Sequence, residues 1–161
     1  LFTNSYGGKI MGAIMEFATE KQIESFLSTC HIKGQKNFLM AFKKKTLLKS
    51  FIDFFVIGGS YYVQSSVKPK ILAFTPKGIY LMDISDVTEN RSNQVVEIPW
   101  NDVKDFTYQT VLNTVRLNWN YQNESFIFSV DVGQVSQRVG QYRFNKDHYD
   151  YLAQHDFFRS K

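Results

Sequence analysis

With 161 residues the chain is sized for one domain, and its single cysteine, Cys30, excludes an intrachain disulfide framework and a multi-cysteine zinc site. No apolar run reaches the roughly 18 residues a membrane-crossing helix needs, and there is no signal-peptide pattern, so a reducing, cytoplasmic setting is expected, at most peripheral at the inner face of a membrane. Net charge is only +4, yet residues 31–80 hold nine lysines against one acid, Asp53, and an aromatic content of 16% favours a sheet-rich core.

Residues 1–18 read as a poorly ordered lead-in, followed by one domain over 19–161. Thr19 and Gln22 form a capping box, and Ile23, Phe26, Leu27 and Cys30 follow on one helical stripe that Gly34 ends. The thiol on that stripe reads as buried and inert. A first strand over residues 37–42 runs into Lys43-Lys44-Lys45. Leu47, Leu48, Phe51, Ile52 and Phe55 then share one face of a helix stopped by Gly58-Gly59. That helix packs on the sheet or docks on a surface; residues 61–67 are a linker or an edge strand.

The clearest short-range signal is Lys70 to Ile84. The apolar run 71–74 meets the turn Thr75-Pro76-Lys77-Gly78, and residues 79–82 return. Pro76 presets φ, and Gly78 is expected to supply a left-handed residue. Residues 85–93 read as a polar loop, 94–98 as a strand, 99–102 as a turn and 103–110 as extended. Val115, Leu117, Trp119 and Tyr121 alternate with polar residues, as do Phe126, Phe128 and Val130, so the two stretches make an antiparallel hairpin about residues 122–124. Residues 131–140 form a loop and 141–144 a last strand. Asn145 is expected as the N-cap of a terminal helix, with Phe144 and Tyr149 as its hydrophobic staple and Tyr149, Leu152 and Ala153 on the face leading to Phe157.

This order resembles bacterial pleckstrin-homology-like (PH-like) domains. The residues that carry the resemblance are Leu72, Thr75, Gly78 and Tyr80 in the hairpin, then Ile98, Asp102, Val103 and Phe106 at the step into the next strand, and it covers residues 37–158. It implies a mainly β (α+β) fold: an antiparallel bent barrel of about seven strands, capped by a C-terminal helix whose Leu152 and Phe157 plug one end. An N-terminal helix and a helical insertion after the first strand are added here.

No catalytic motif is found. Gly58-Gly59 lacks the Lys-Ser/Thr of a phosphate loop, and His31, His148 and His155 read as surface residues beside a solvated acidic face of Asp147, Asp150 and Asp156. No cofactor is expected. Arginine is absent before Arg91, so neither specific inositol-phosphate recognition nor nucleic-acid binding is favoured. The expectation is therefore a non-catalytic binding or scaffolding domain. It would contact a protein partner or an anionic membrane surface through Lys43, Lys44, Lys45, Lys49, Lys68 and Lys70. The alternative is a small-molecule carrier or enzyme with Trp119, Tyr121, Phe126 and Phe128 lining a barrel interior. Homo-oligomerisation through an exposed apolar or strand edge is the third reading.

Overall fold

A computed structural model of the chain describes residues 18–44, 69–133 and 143–159. The lead-in before Ala18, the helix over residues 46–57 and the segment 61–67 lie outside these residues. The fold is mainly β: seven antiparallel strands in the order β4 (Val96–Pro99), β3 (Gly78–Asp83), β2 (Pro69–Phe74), β1 (Phe38–Lys44), β7 (Glu124–Asp131), β6 (Thr114–Tyr121), β5 (Lys104–Val111), with a helix before the first strand and another after the last.

Helix α1 (Glu20–Thr29) opens on the expected capping box: Gln22 N–H donates to Thr19 Oγ1 at 3.2 Å, and Thr19 N–H to Gln22 Oε1 at 2.9 Å. It closes earlier than Gly34, because His31 takes the left-handed conformation (φ 58°) just past Cys30. Strand β1 (Phe38–Lys44) pairs with β2 (Pro69–Phe74), which pairs with β3 (Gly78–Asp83) in the expected hairpin. Gly78 serves a different purpose from the one its turn position suggested. It is not left-handed; a Cβ there would stand 2.2 Å from the carbonyl oxygen of Ile98, where β4 (Val96–Pro99) lies against it. Close backbone approach, not turn conformation, is what demands glycine.

Residues 85–93 are not simply loop. Ile84–Thr88 forms a short helix, α2, and Ser92–Gln94 a 3₁₀ turn. Asp86 closes the helix start by accepting the Asp83 N–H at 2.9 Å, and Ile84 and Val87 are buried beneath it. Strand β5 (Lys104–Val111) leads to β6 (Thr114–Tyr121) and β7 (Glu124–Asp131). The β6–β7 turn uses Gln122 and Asn123, both at positive φ, which suits the right-handed twist of the flanking strands.

The two faces of the sheet bury separate cores. On the outer face α1, α2 and Phe144 cover Phe38, Met40, Ile71, Ala73 and Met82. On the inner face Leu39, Leu72, Phe74 and Ile79 meet Leu117, Trp119 and Phe128 from the far strands. Phe74 of β2 and Phe106 of β5 stand 6.4 Å apart at their ring centres although three strands separate theirs in the sheet order, so the sheet curls back on itself. It does not close into a barrel, because β4 and β5 are its two edges. Trp100 sits between those edges, with Phe106 at 5.4 Å and its indole N–H donating to the Thr75 carbonyl at 2.7 Å.

Helix α3 (Phe144–Gln154) lies against β1 and drives Leu152, and beyond it Phe157, into the inner core, both fully buried. Phe157 touches Phe74, Phe106 and Tyr108 at 4.8–5.4 Å between ring centres. Asp156, Phe157 and Phe158 are all left-handed (φ 49–58°), a reversal that turns Phe157 inward after the helix ends. Two sequence expectations are corrected here. Phe144 opens the helix rather than ending a strand, and it enters the outer core while Tyr149 packs at the inner one, so they make no staple. His148 is not a surface residue. It is fully buried, its Nδ1 2.8 Å from the Phe38 carbonyl oxygen and its Nε2 2.9 Å from Glu20 Oε1, which ties α3 to β1 and α1.

Candidate functional site

Two places on the described surface have chemistry to offer, and they lie at opposite ends of strands β1–β3. The first is the lysine-bearing end. Lys43 and Lys44 close β1, Lys70 lies near the start of β2, and the register sets Ala41 beside Lys70 and Phe42 beside Pro69. Residues 45–68 therefore leave and rejoin the sheet at neighbouring positions. Lys45, Lys49 and Lys68 themselves lie outside the described residues.

Strand alternation sends Lys43 and Lys70 to the inner face and Lys44 to the outer one. Both inner lysines are paired. Lys43 Nζ is 3.1 Å from Glu124 Oε1 and 4.4 Å above the Phe126 ring, and Lys70 Nζ is 2.5 Å from Asp83 Oδ1. Lys44 is exposed and has no acidic partner among the described residues. The composition signals the lysines but not the two acids: Glu124 falls in the expected 122–124 turn and Asp83 just past the expected strand 79–82, whereas both belong to strands of the sheet.

The second place is a cleft of about 810 Å³ at the hairpin end, open to solvent. One wall is the α1–β1 connection from His31 to Asn37; the other is the β2–β3 turn with Phe74 and Tyr80; Tyr151 and Phe158 flank it from the C-terminal region. Asn37, only 5% exposed, pins the walls together: its amide Nδ2 donates to the Lys33 and Phe74 carbonyls, each at 2.8 Å, and Phe74 N–H donates back to the Asn37 carbonyl at 2.8 Å. Trp100 pins the turn, through its indole to Thr75 and its backbone N–H to the Lys77 carbonyl at 3.1 Å. Burial pushes the Tyr80 phenol up, with the Glu97 charge and hydrogen bond adding to it. Nothing in the linear pattern announces this cleft, because its walls come from three separated stretches that each look like ordinary connection or turn.

The aromatic residues of β6 and β7 pack on one another. Trp119 stacks between Phe126 and Phe128 at 5.6 and 5.1 Å, and Trp119 and Phe128 are at most 1% exposed, while Tyr121 is half-buried at the margin. These rings are packed core, and the cleft lies outside them. His31 and His155 are exposed, and among the described residues no group of three or more His, Cys, Asp or Glu side chains is placed to hold a metal ion. Cys30 is half-buried at the end of α1, its thiol pushed up by burial. Among the described residues no helix is long and apolar enough to cross a membrane. No family model matches the chain, and no curated protein matches it in sequence.

Proposed function

We propose that the chain is a non-catalytic, PH-like binding domain that docks on an anionic membrane surface through the lysine-bearing end of its sheet. Two features support the PH-like part. Each strand pairs with its neighbour in sequence except at the one break between β4 and β5, and β1 joins β7 to make the order cyclic. A C-terminal helix follows, with Leu152 and Phe157 in the inner core.

The observation that carries the docking part is the register of β1 with β2. It brings Lys43, Lys44 and Lys70 to one end of the sheet, where the segment bearing Lys45, Lys49 and Lys68 begins and ends. A lysine near an anionic surface contributes about 1 kcal/mol, and the contribution fades as salt screens it. Flotation of the full chain with phosphatidylserine-containing vesicles and with pure phosphatidylcholine vesicles tests it. Recovery with the anionic vesicles alone, lost at high salt, is the expected result. Equal recovery with both at low salt, or none with either, removes the membrane reading and leaves an acidic protein partner for this surface.

A further inference from the structure

The cleft at the hairpin end faces away from the lysine-bearing end and is not used by the docking reading. Its volume falls in the range of small-molecule sites, roughly 300–1,000 Å³, and its walls are fixed by Asn37 and Trp100 rather than left to close on a ligand. Three observations describe what would fit.

The first is charge: Lys33, Lys77 and His31 are among the lining residues and none of the lining residues is acidic. Glu97 reaches the lining through its hydrogen bond to Tyr80, and neither lysine has an acidic partner among the described residues. This contrasts with the other end, where Glu124 and Asp83 already occupy two of the lysines. The second is the aromatic and aliphatic part of the lining: Ile32, Phe74, Tyr80, Tyr151 and Phe158. The third is Asn37 itself. Its Nδ2 is used twice, but its Oδ1 is buried and has no donor, an orphaned acceptor among the lining groups. Leaving such an atom unpaired is costly, and it marks this wall of the cleft as a place where the fold itself spends stability.

An extended peptide is the weaker occupant. Strands β2 and β3, which border the cleft, are each paired on both sides, so no free edge there can take an added strand.

We propose that this cleft binds a small aromatic anion, with Lys33 and Lys77 taking the acidic group and the rings of Tyr80, Tyr151 and Phe158 taking the aromatic body. Two probes of one shape separate charge from apolar contact: 1-anilinonaphthalene-8-sulfonate, and N-phenyl-1-naphthylamine, which lacks the sulfonate. Both fluoresce on entering an apolar site. Titrated into the folded chain at low salt, the sulfonate should bind more tightly than the neutral compound. The double substitution Lys33→Gln and Lys77→Gln should weaken the sulfonate by roughly tenfold, as two surface charges would, and leave the neutral compound unchanged. Tyr151→Ala, on the wall, should weaken both. Equal affinity for the two probes, or a double variant that binds the sulfonate as tightly as the parent, overturns the proposal. Both lysines are exposed, so circular dichroism should show the double variant folded; a parallel loss of both probes in a folded double variant also counts against it.

Discussion

Asn145 sets its side-chain amide against the backbone of Met40, Oδ1 accepting the Met40 N–H at 2.9 Å and Nδ2 donating to the Met40 carbonyl at 3.0 Å. The same Nδ2 reaches the Asp131 carbonyl at 3.2 Å. Strand β1 pairs with β7 only from Phe42 to Lys44, and continuing that register would set Met40 opposite Asp131. The side chain of Asn145 thus completes a ladder that the diverging strands leave open, and His148 does the same for Phe38 one turn further on.

Asn145→Ala should therefore destabilise the fold by more than a lost surface hydrogen bond. It strands a buried N–H and a buried carbonyl at once, and each orphan costs about 1–3 kcal/mol. A loss of about 2–4 kcal/mol in denaturant unfolding, with faster amide exchange at Met40, is expected. Asn145→Asp should fare little better, because a carboxylate can accept from Met40 N–H but cannot donate to its carbonyl. A loss under 1 kcal/mol for Asn145→Ala would mean the ladder gap is filled some other way.

Gly78→Ala tests the close approach of β3 and β4. The added methyl would meet the Ile98 carbonyl and the Pro99 Cα, at 2.2 and 2.9 Å, and both are backbone atoms that cannot swing aside. Overpacking of this kind costs roughly 1–3 kcal/mol or more. The edge strand β4 should loosen first, with Trp100 losing its fixed position on Thr75, so tryptophan fluorescence should shift before the global transition. A neutral or stabilising alanine would show that β4 can stand off from the hairpin without penalty.

What the sequence made legible follows from how local each signal is. The hairpin about Thr75–Gly78 and the alternation of residues 115–121 with 126–130 depend on neighbours a few residues away, and both are found as expected. The capping box at Thr19 is local too. Asn145 and His148 could not be read this way, since their partners lie 105 and 110 residues off in sequence and the same residues would serve equally well as a cap and a solvated surface. Helix α2 was hidden because its apolar face is only Ile84 and Val87 within a polar stretch. Gly78 stands out in the sequence as a turn residue, whereas the close approach of β4 is what requires it.

The pH dependence has two opposed limbs. At the acid end the hydrogen bond and charge of Lys36 hold the Asp147 carboxyl below its usual range. A group depressed in the fold stabilises above its ordinary value of 3.8, and that contribution is lost as pH falls through the folded value. At the alkaline end Tyr80, pushed up from 10.0 mainly by burial, and Cys30, pushed up from 9.0 by burial, keep their protons longer in the fold than in the unfolded chain. Stability should hold below those values and decline as pH rises through them. Lys36, also pushed up by Asp147, adds in the same direction. Thermal unfolding across the range should show a plateau between roughly pH 5 and 8 with a fall on each side. Tyr80→Phe should flatten part of the alkaline fall, and Asp147→Asn should change the acid limb only slightly, because that pair is exposed. An alkaline limb unchanged by Tyr80→Phe would show that the phenol is not held from ionising by its surroundings.

The two acids at the lysine-bearing end make the docking reading sharper than a count of lysines could. While Glu124 holds Lys43 and Asp83 holds Lys70, each lysine presents a neutralised pair to an approaching surface, and only part of the charge is free to attract it. Glu124→Gln and Asp83→Asn should each release one ammonium group. The Lys43–Glu124 pair is largely exposed, and such pairs contribute less than about 1 kcal/mol to folding, so the unfolding midpoint of Glu124→Gln should move little. Asp83 is part-buried and N-caps α2, so Asp83→Asn should cost more. Binding to phosphatidylserine vesicles should tighten by up to roughly fivefold per released charge, from about 1 kcal/mol for each lysine at the surface, and should steepen in its salt dependence. Lys44→Gln, by removing an exposed charge that no described acid masks, should act in the opposite sense. If both acid variants bind vesicles as the parent does while Lys44→Gln also has no effect, the surface is not held by this end of the sheet at all.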